Sequence, residues 1–480
     1  MARWSSLCWL CLAVALLVGG ELKARTVGRE PPEYLKRAVV YQLVLRTFTR
    51  DGTFAAAKEM LGHVRSCGVD VVYLTPFVTM DTDADRRGWS PRQIASGFDS
   101  PKNPYRIADY DRIDPEYGTD EDFKTFNDRA HELGMKVYMD LVYYHCGPNN
   151  VLKTLVPDGF QRTNGVVRTT RYNFPYLNFE SKALRAYLIE SMRRWIRLGC
   201  DGFRCDVGDE VPIDFWVEAA DACRKLKGDL VMINEGTKVE WLEKVFDACY
   251  AWPWSYATRH WINPKGHGGW DELKPTLAGR MDAIRAYESK VPSQALMLSF
   301  LDNHDTANDD GDFRFDRVLP VEAGNALFTL SFLRKGVPLV FNGNEIADNS
   351  RSSFFGPVGH PARAARTVDW ARACQPDGQK RLTLIRRLSE LRHAEPSVAE
   401  GTMVWQTSGE KDDVVAFVRG TADGGLFVAA NLSGKPREVA YCDVPFATVD
   451  PLSSEGVRRE GSRLSFGPWG FGVFRLKSVK

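Results

Sequence analysis

The stretch Gly202-Phe203-Arg204-Cys205-Asp206, followed about thirty residues later by Val231-Met232-Ile233-Asn234-Glu235-Gly236, decides how this chain is read. Each is a short, mostly apolar run that ends in a carboxylate. A third run leads into Phe300-Leu301-Asp302-Asn303-His304-Asp305. Runs this short, bounded by glycine, read as buried strands rather than helices. Carboxylates repeated at strand ends are what a barrel of parallel strands presents at the face where its active sites lie.

Working outward, the pattern alternates from about residue 37: β-rich runs are followed by helical stretches, which predicts an α/β fold with a parallel sheet. The candidate strands are Val39–Leu45, Asp70–Leu74, Lys136–Val142, Gly202–Cys205, Leu230–Asn234, Asp247–Ala251, Leu296–Phe300 and Pro338–Phe341. They are enough to close a (β/α)8 TIM barrel. None is followed by a glycine-rich dinucleotide fingerprint, which argues against a Rossmann fold. Ahead of the fourth strand, Leu184, Tyr187, Leu188, Met192, Trp195 and Ile196 recur at helical spacing, and Gly199 is placed to end that helix. Cys146 to Glu180 shows little periodicity and reads as a small inserted subdomain after the third strand. After about Ser397, strand-like Val414–Val418, Leu426–Ala430 and Gly472–Leu476 alternate with the turn signals Asp423-Gly424-Gly425 and Ser433-Gly434-Lys435. The expected organisation is therefore a barrel over 37–145 and 181–396, the insertion over 146–180, and a C-terminal all-β domain, a β-sandwich, over 397–480.

The 480 residues are 44% hydrophobic and 26% charged with a formal net charge of +1, so no basic field points to a nucleic-acid partner. Arg3, the apolar run Leu7 to Val18 and the small residues Gly19 and Gly20 read as a signal peptide over 1–24. That run is too short for a stable membrane span. The protein is expected to be exported, either periplasmic or secreted. Eight cysteines follow the leader with no C-x-x-C pair and no zinc spacing, and their pairing stays open. Thirteen tryptophans and sixteen tyrosines suit stacking on sugar rings, although a large aromatic core explains them equally well.

The carboxylates carry the chemistry. Cleavage of an α-glucoside with retention needs one carboxylate to attack the anomeric carbon and one protonated carboxyl to donate to the leaving oxygen, about 5–5.5 Å apart. Asp206 is the candidate nucleophile. Arg204 leaves the strand on the same face and is expected to keep Asp206 ionised. Glu235, after an apolar run, is the candidate acid/base with a raised pKa. Asp305, beside His304, could hold ring hydroxyls. His145, closing Asp140-Leu141-Val142-Tyr143-Tyr144-His145, could donate to the sugar. Taken singly, each has a plainer reading: a buried Arg–Asp pair, a lone glutamate, a helix cap. Their order along eight alternating strands is what gives them weight.

These residues resemble the α-amylase family, whose members are retaining α-glucan hydrolases and transglycosylases on a (β/α)8 barrel. The resemblance runs from about Ala38 to the C-terminus. It includes Val40-Tyr41-Gln42, Gly68 through Pro76, Tyr105 through Tyr110, Ile113 through Thr119, Pro175-Tyr176-Leu177-Asn178 and Gly336 through Glu345. It implies Asp206 as nucleophile, Glu235 as acid/base and Asp305 as transition-state stabiliser. It also implies Arg204, His145 and His304 around the cleaved sugar, Tyr105 as the platform beneath it, and Asp140 as a supporting carboxylate.

The run Asp201 through Val211 with Phe215-Trp216 is most similar to the neopullulanase and cyclomaltodextrinase branch. Asp209 and Glu210 stand where many endo-acting relatives carry Lys-His. That branch has an N-terminal dimerisation domain, whereas here the first strand follows the leader almost at once, so the chain reads as lacking it. Tyr144 stands where the family often has a calcium-binding asparagine, and Asn103 where it often has a histidine. No cofactor is expected, and no metal at the usual calcium site. Cys205 is expected to point into the barrel core rather than the cleft.

The implied activity is a retaining α-amylase-type glycosidase acting on α-1,4 bonds, with α-1,6 as a second linkage, in an α-glucan oligosaccharide or polysaccharide. A transglycosylase or isomerase on the same scaffold and a non-catalytic glucan-binding protein are the alternatives. Linkage and chain-length preference, endo or exo action, and oligomeric state stay open.

Overall fold

The computed structural model describes residues 30–259, 277–307, 314–406, 413–421, 424–442 and 444–477. The leader expected over 1–24 and the turn residue Asp423 lie outside the described residues. Eight short strands close a parallel barrel: β1 (Val40–Leu43), β2 (Val71–Leu74), β3 (Lys136–Leu141), β4 (Gly202–Cys205), β5 (Val231–Asn234), β6 (Ala248–Tyr250), β7 (Leu296–Ser299) and β8 (Val337–Phe341). Val40 of β1 lies opposite Val71 of β2 on one side and Leu339 of β8 on the other, which shuts the seam.

Strand parity sorts most apolar residues of the barrel strands into one of two cores. Val40, Tyr73, Tyr138, Val231, Ile233, Leu298 and Leu339 fill the lumen. Their neighbours Tyr41, Val72, Val137, Phe203, Met232, Met297 and Val340 face outward against the helices. Lumen parity carried two residues further along the chain reaches Gln42, Asp140 and Glu235, and on β4 it reaches Arg204 and then Asp206. Cys205 has the opposite parity and sits in the layer between sheet and helices, not in the lumen. Gly202 is required where it is, because a Cβ there would lie 2.8 Å from Tyr138 ring carbons and from the Val231 carbonyl oxygen.

The helix Lys182–Arg197 shows why the helical layer forms. Ser181 caps it by accepting from the Leu184 N–H. Leu184, Leu188, Met192, Trp195 and Ile196 are its buried face, while Tyr187 is only half-buried. It stops at Leu198, and Gly199 at φ +104 takes the left-handed position beyond the cap. Each large apolar side chain buried in this way contributes on the order of 2 kcal/mol.

Two excursions rise from the C-terminal ends of the strands. Between β3 and Lys182–Arg197 the chain makes a short helix, Leu152–Leu155, and a small hairpin of Arg162–Thr163 with Val166–Val167. Between β2 and β3 it makes the antiparallel pair Val78–Met80 and Ile107–Ile113 with the helix Pro91–Ala95 between them. The excursions are joined: Asp81 accepts from the Asn149 backbone and side chain, and a Cβ on Gly147 would lie 2.4 Å from the Asp81 Cβ.

The C-terminal strands are antiparallel and belong to one hydrogen-bonded network. Arg463–Leu476 is shared: Gly424–Asn431 and Arg437–Ala440 pair with it, and so does Phe446–Glu460. Parity again splits the sheet. Val415, Phe417, Val428 and Val473 join the core of the barrel helices, whereas Ala416, Phe427, Phe446 and Phe474 form a separate core on the far face. Of the described cysteines, Cys67, Cys146, Cys200, Cys205, Cys223 and Cys249 are buried, Cys374 and Cys442 are exposed, and all are unpaired. Among the described residues, no helix is long and apolar enough to cross a membrane.

Candidate active site

Above the lumen, one guanidinium organises three carboxylates. Arg204, fully buried, donates from Nη1 to Asp206 Oδ1 at 2.9 Å and to Asp140 Oδ1 at 2.7 Å. Its Nη2 lies 2.8 Å from Glu235 Oε2. Asp206 is thus hydrogen-bonded to one terminal nitrogen of the arginine, and Glu235 sits at ion-pair distance from the other without a hydrogen bond to it. Each is fixed at its backbone as well, since Asp206 N–H donates to Leu141 O at 2.8 Å and Glu235 N–H to Cys205 O at 3.0 Å. Glu235 Oε2 also accepts from the Val207 N–H at 2.9 Å. Val207 reaches that position only in the left-handed region, at φ 43, which is strained for a β-branched residue.

A hydrogen-bonded chain runs from β1 across the floor of the cleft. Gln42 holds His304 at both ends: its amide nitrogen lies 2.8 Å from Nδ1, and its oxygen accepts from the His304 N–H at 3.1 Å. Nδ1 therefore accepts, and the ring proton sits on Nε2. Nε2 donates to Tyr105 Oη at 2.5 Å and lies 3.3 Å from Asp305 Oδ2. Tyr105 in turn donates to Asp140 Oδ2 at 3.0 Å, and Tyr73 donates to the same oxygen at 2.7 Å. The Tyr105 and His304 rings stack with centroids 5.2 Å apart and planes at 8°.

Asp305 is held from the other side of the cleft. Arg92, on the helix Pro91–Ala95, donates to Asp305 Oδ1 at 2.9 Å and to the Asp305 carbonyl at 2.7 Å. His145 lies on the wall, its ring 4.9 Å from that of Phe174, and its Nδ1 is buried with no partner among the described residues. The structure brings Asp206, Glu235, Asp305, Arg204, His304 and Tyr105 into one linked cluster, with His145 at the end of the β3 segment that carries Asp140.

The charges are unequal in kind. Burial is the largest influence on Glu235 and pushes its carboxyl up to about 7. Burial, and then the charge of Glu235, pushes Asp206 well above the usual carboxylate range, with Arg204 opposing. This corrects the expectation that Arg204 by itself keeps Asp206 ionised. The arginine is shared with Asp140 and Glu235, and one positive charge cannot offset three desolvated carboxylates. Burial pushes His304 down to about 3 and His145 down to about 4, so both are neutral at pH 7. Burial would also raise Asp305, but the charges around it outweigh burial and hold it well below the usual range. With His304 neutral, Arg92 is a charge in direct contact among the described residues, and Arg204 adds to it.

Gln42, Tyr73, Arg92 and Val207 are functional neighbours that the sequence did not single out. Parity on β1 was the available signal for Gln42, since it is two residues beyond the lumen residue Val40. Nothing in the local pattern marks Arg92, whose partner is more than two hundred residues away. Among the described residues, no group of three or more His, Cys, Asp or Glu side chains could hold a metal ion. Tyr144, at the position where a calcium ligand was considered, packs its ring 5.1 Å from that of Tyr176.

The alpha-amylase family, described as alpha amylase, catalytic domain, matches residues 42–154 and 166–380, and the short gap falls in the excursion after β3. The alpha-amylase MalA of Haloarcula japonica is 24% identical over 440 residues, covering 87% of this chain and 59% of that protein. A cyclomaltodextrinase of a Bacillus species is 24% identical over 454 residues, covering 84% of this chain and 74% of that protein. The chain therefore spans between half and three quarters of the length of these relatives. A solved maltogenic alpha-amylase from Thermotoga neapolitana superposes with a TM-score of 0.76 at 24% identity, covering 92% of this chain and 99% of that one. At that identity the likeness is one of fold.

Proposed function

The chain belongs to the alpha-amylase family, and from that premise we propose that it is a retaining glycoside hydrolase of α-glucans. Its substrates are α-1,4-linked maltodextrins and cyclodextrins, with α-1,6 bonds as a second linkage. The observation that carries this reading is the single arginine between Asp206 and Glu235. Two carboxyls so coupled take up protons as a unit. A proton on Glu235 removes the second-largest influence raising Asp206 and leaves Asp206 with the aligned Nη1–H bond. The favoured state near neutrality is then one proton, on Glu235, and one charge, on Asp206.

That division of labour performs a double displacement. Asp206 attacks the anomeric carbon as Glu235 gives its proton to the departing glycosidic oxygen, leaving a glycosyl ester on Asp206. Glu235, now ionised, takes a proton from water, the water oxygen attacks the same carbon, and the ester breaks to restore Asp206. Asp305, kept ionised by Arg92, accepts from ring hydroxyls. The Tyr105 ring lies beneath the sugar, and neutral His145 and His304 supply uncharged polar contacts. Short or branched maltodextrins are favoured because Asp209 and Glu210 replace the Lys-His pair on the acceptor side. The leader-like run Leu7 to Val18 supports export to the periplasm or medium, which N-terminal sequencing of the mature protein would decide: a start near residue 25 supports export, an intact Met1 removes it.

The test is hydrolysis of maltooligosaccharides, pullulan and β-cyclodextrin by the parent, Asp206→Asn and Glu235→Gln, with the product anomer read by NMR. We expect α-anomers from the parent, at least a thousandfold loss in each variant, and an alkaline limb of kcat/KM near pH 7 set by Glu235. A β-anomer, or full activity in either variant, would overturn the assignment.

A further inference from the structure

The loops after β4 and β5 are stapled together at Asp209. Its Oδ1 accepts from Asn234 Nδ2 at 2.8 Å. Its Oδ2 accepts from the backbone N–H groups of Thr237 at 2.8 Å and Lys238 at 3.1 Å. Lys238 Nζ returns a bond to the Asp209 carbonyl at 2.7 Å. The carboxylate thereby grips the turn Glu235-Gly236-Thr237-Lys238 at both ends. Gly236 leaves the room for it, because a Cβ there would lie 2.3 Å from Asp209 Cγ and Oδ1.

The loop that supplies Asp209 is itself fixed. The Gly208 carbonyl accepts the indole N–H of Trp216 at 3.1 Å and of Trp241 at 3.0 Å. Gly208 has no room for a side chain either, since a Cβ would meet Asn234 Oδ1 at 2.3 Å. One residue before it, the strained Val207 offers its N–H to the Glu235 carboxyl. Glu235 is therefore held twice by the same short segment, once at its carboxyl and once through the turn it stands on.

We propose that Asp209 is a positioning residue whose carboxylate clasps the Glu235 turn and so sets the acid/base carboxyl against Val207 N–H and Arg204. The inference rests on the reading of Glu235 as the acid/base. It gives the position where a lysine would face the acceptor sugar a different task, one directed at the enzyme's own second loop.

The test compares Asp209→Ala, Asp209→Asn, Gly236→Ala and the double variant Asp209→Ala/Gly236→Ala. Two readouts are used: kcat and KM across pH on maltooligosaccharides, and hydrogen exchange of the Thr237 and Lys238 amides. Asp209→Ala frees the turn and admits water to Glu235. It is expected to lower kcat about 10- to 100-fold with little change in KM, and to move the alkaline limb away from the parent's. The two amides lose protection. Gly236→Ala pushes the carboxylate out and is expected to match it. The double variant then falls no further than either single one, because both remove the same interaction.

Asp209→Asn is expected to rescue. Its oxygen can accept from both backbone donors while its amide nitrogen takes the place of Oδ1, and the Asn234 amide, whose Oδ1 is buried without a partner among the described residues, turns over to accept from it. An unshifted alkaline limb in Asp209→Ala, unchanged amide protection, or additive losses in the double variant would each overturn the proposal. Should the parent hydrolyse no α-glucan, the proposed function falls by itself. The exchange of the two amides would still decide whether the clasp exists: loss of protection in Asp209→Ala supports it, unchanged protection removes it.

Discussion

At the scale of single residues, the decisive feature is that the half-buried Glu235 is desolvated enough to keep its proton. Its folded pKa of about 7 lies above the ordinary value of about 4.3 for a glutamate in the unfolded chain. Below about pH 4 both states are protonated and the group costs nothing. As pH rises the unfolded chain releases the proton first, so stability falls between those two values and stays reduced above pH 7. Glu235→Gln is therefore expected to stabilise the fold at pH 8, by an amount on the order of 3 kcal/mol seen as a raised Tm, and to leave Tm unchanged at pH 4. Thermal melts of parent and variant across that range check this, and an equal shift at both pH values would remove the electrostatic cause. Burial after an apolar run was enough to predict the direction of this shift. The state of Asp206 was not legible in the same way. R-x-D parity places the arginine beside it, but only the folded site reveals that Asp140 and Glu235 share that arginine.

At the scale of elements, the closing of the barrel depends on a helix that touches no substrate. Arg392, on the last barrel helix Pro376–Ala394, is fully buried and donates to the carbonyls of Arg37, Ala38, Lys36, Phe332 and Gly336. Those carbonyls precede β1 and β8, the two strands whose pairing shuts the sheet. Burial pushes the guanidinium down to about 9, so it still carries its charge at neutral pH. Arg392→Met would leave buried carbonyls without donors, and a loss of more than about 3 kcal/mol is expected from urea unfolding. A loss below about 1 kcal/mol would mean that the seam is held by strand pairing alone. The eight strands themselves were readable because apolar runs of this length, spaced by helices, have few other folds open to them. The pair Val78–Met80 and Ile107–Ile113, and the helix that carries Arg92, were not. They lie in an excursion whose shape is set by contacts such as Asp81 with Asn149 rather than by local periodicity.

At the scale of the whole molecule, barrel and C-terminal sheet share one core. Phe417, Val428 and Val473 pack into the same cluster as the barrel helices, while Phe427 and Phe474 serve the sheet alone. One calorimetric endotherm is therefore expected for the intact chain, with van't Hoff and calorimetric enthalpies in agreement. Two resolved endotherms would show the sheet to be an independent unit. The sequence by itself determined the barrel, the all-β end, and which carboxylates stand at the strand ends. These follow from parity and periodicity, which act over a few residues and are written into local order. Only the tertiary structure decided that Gln42 orients His304, that Arg92 holds Asp305, that one arginine serves three carboxylates, and that Asp209 clasps the Glu235 turn. Each of these is a contact between segments distant in sequence or on separate loops. Its geometry exists only once the closed sheet has brought the strand ends around a single lumen.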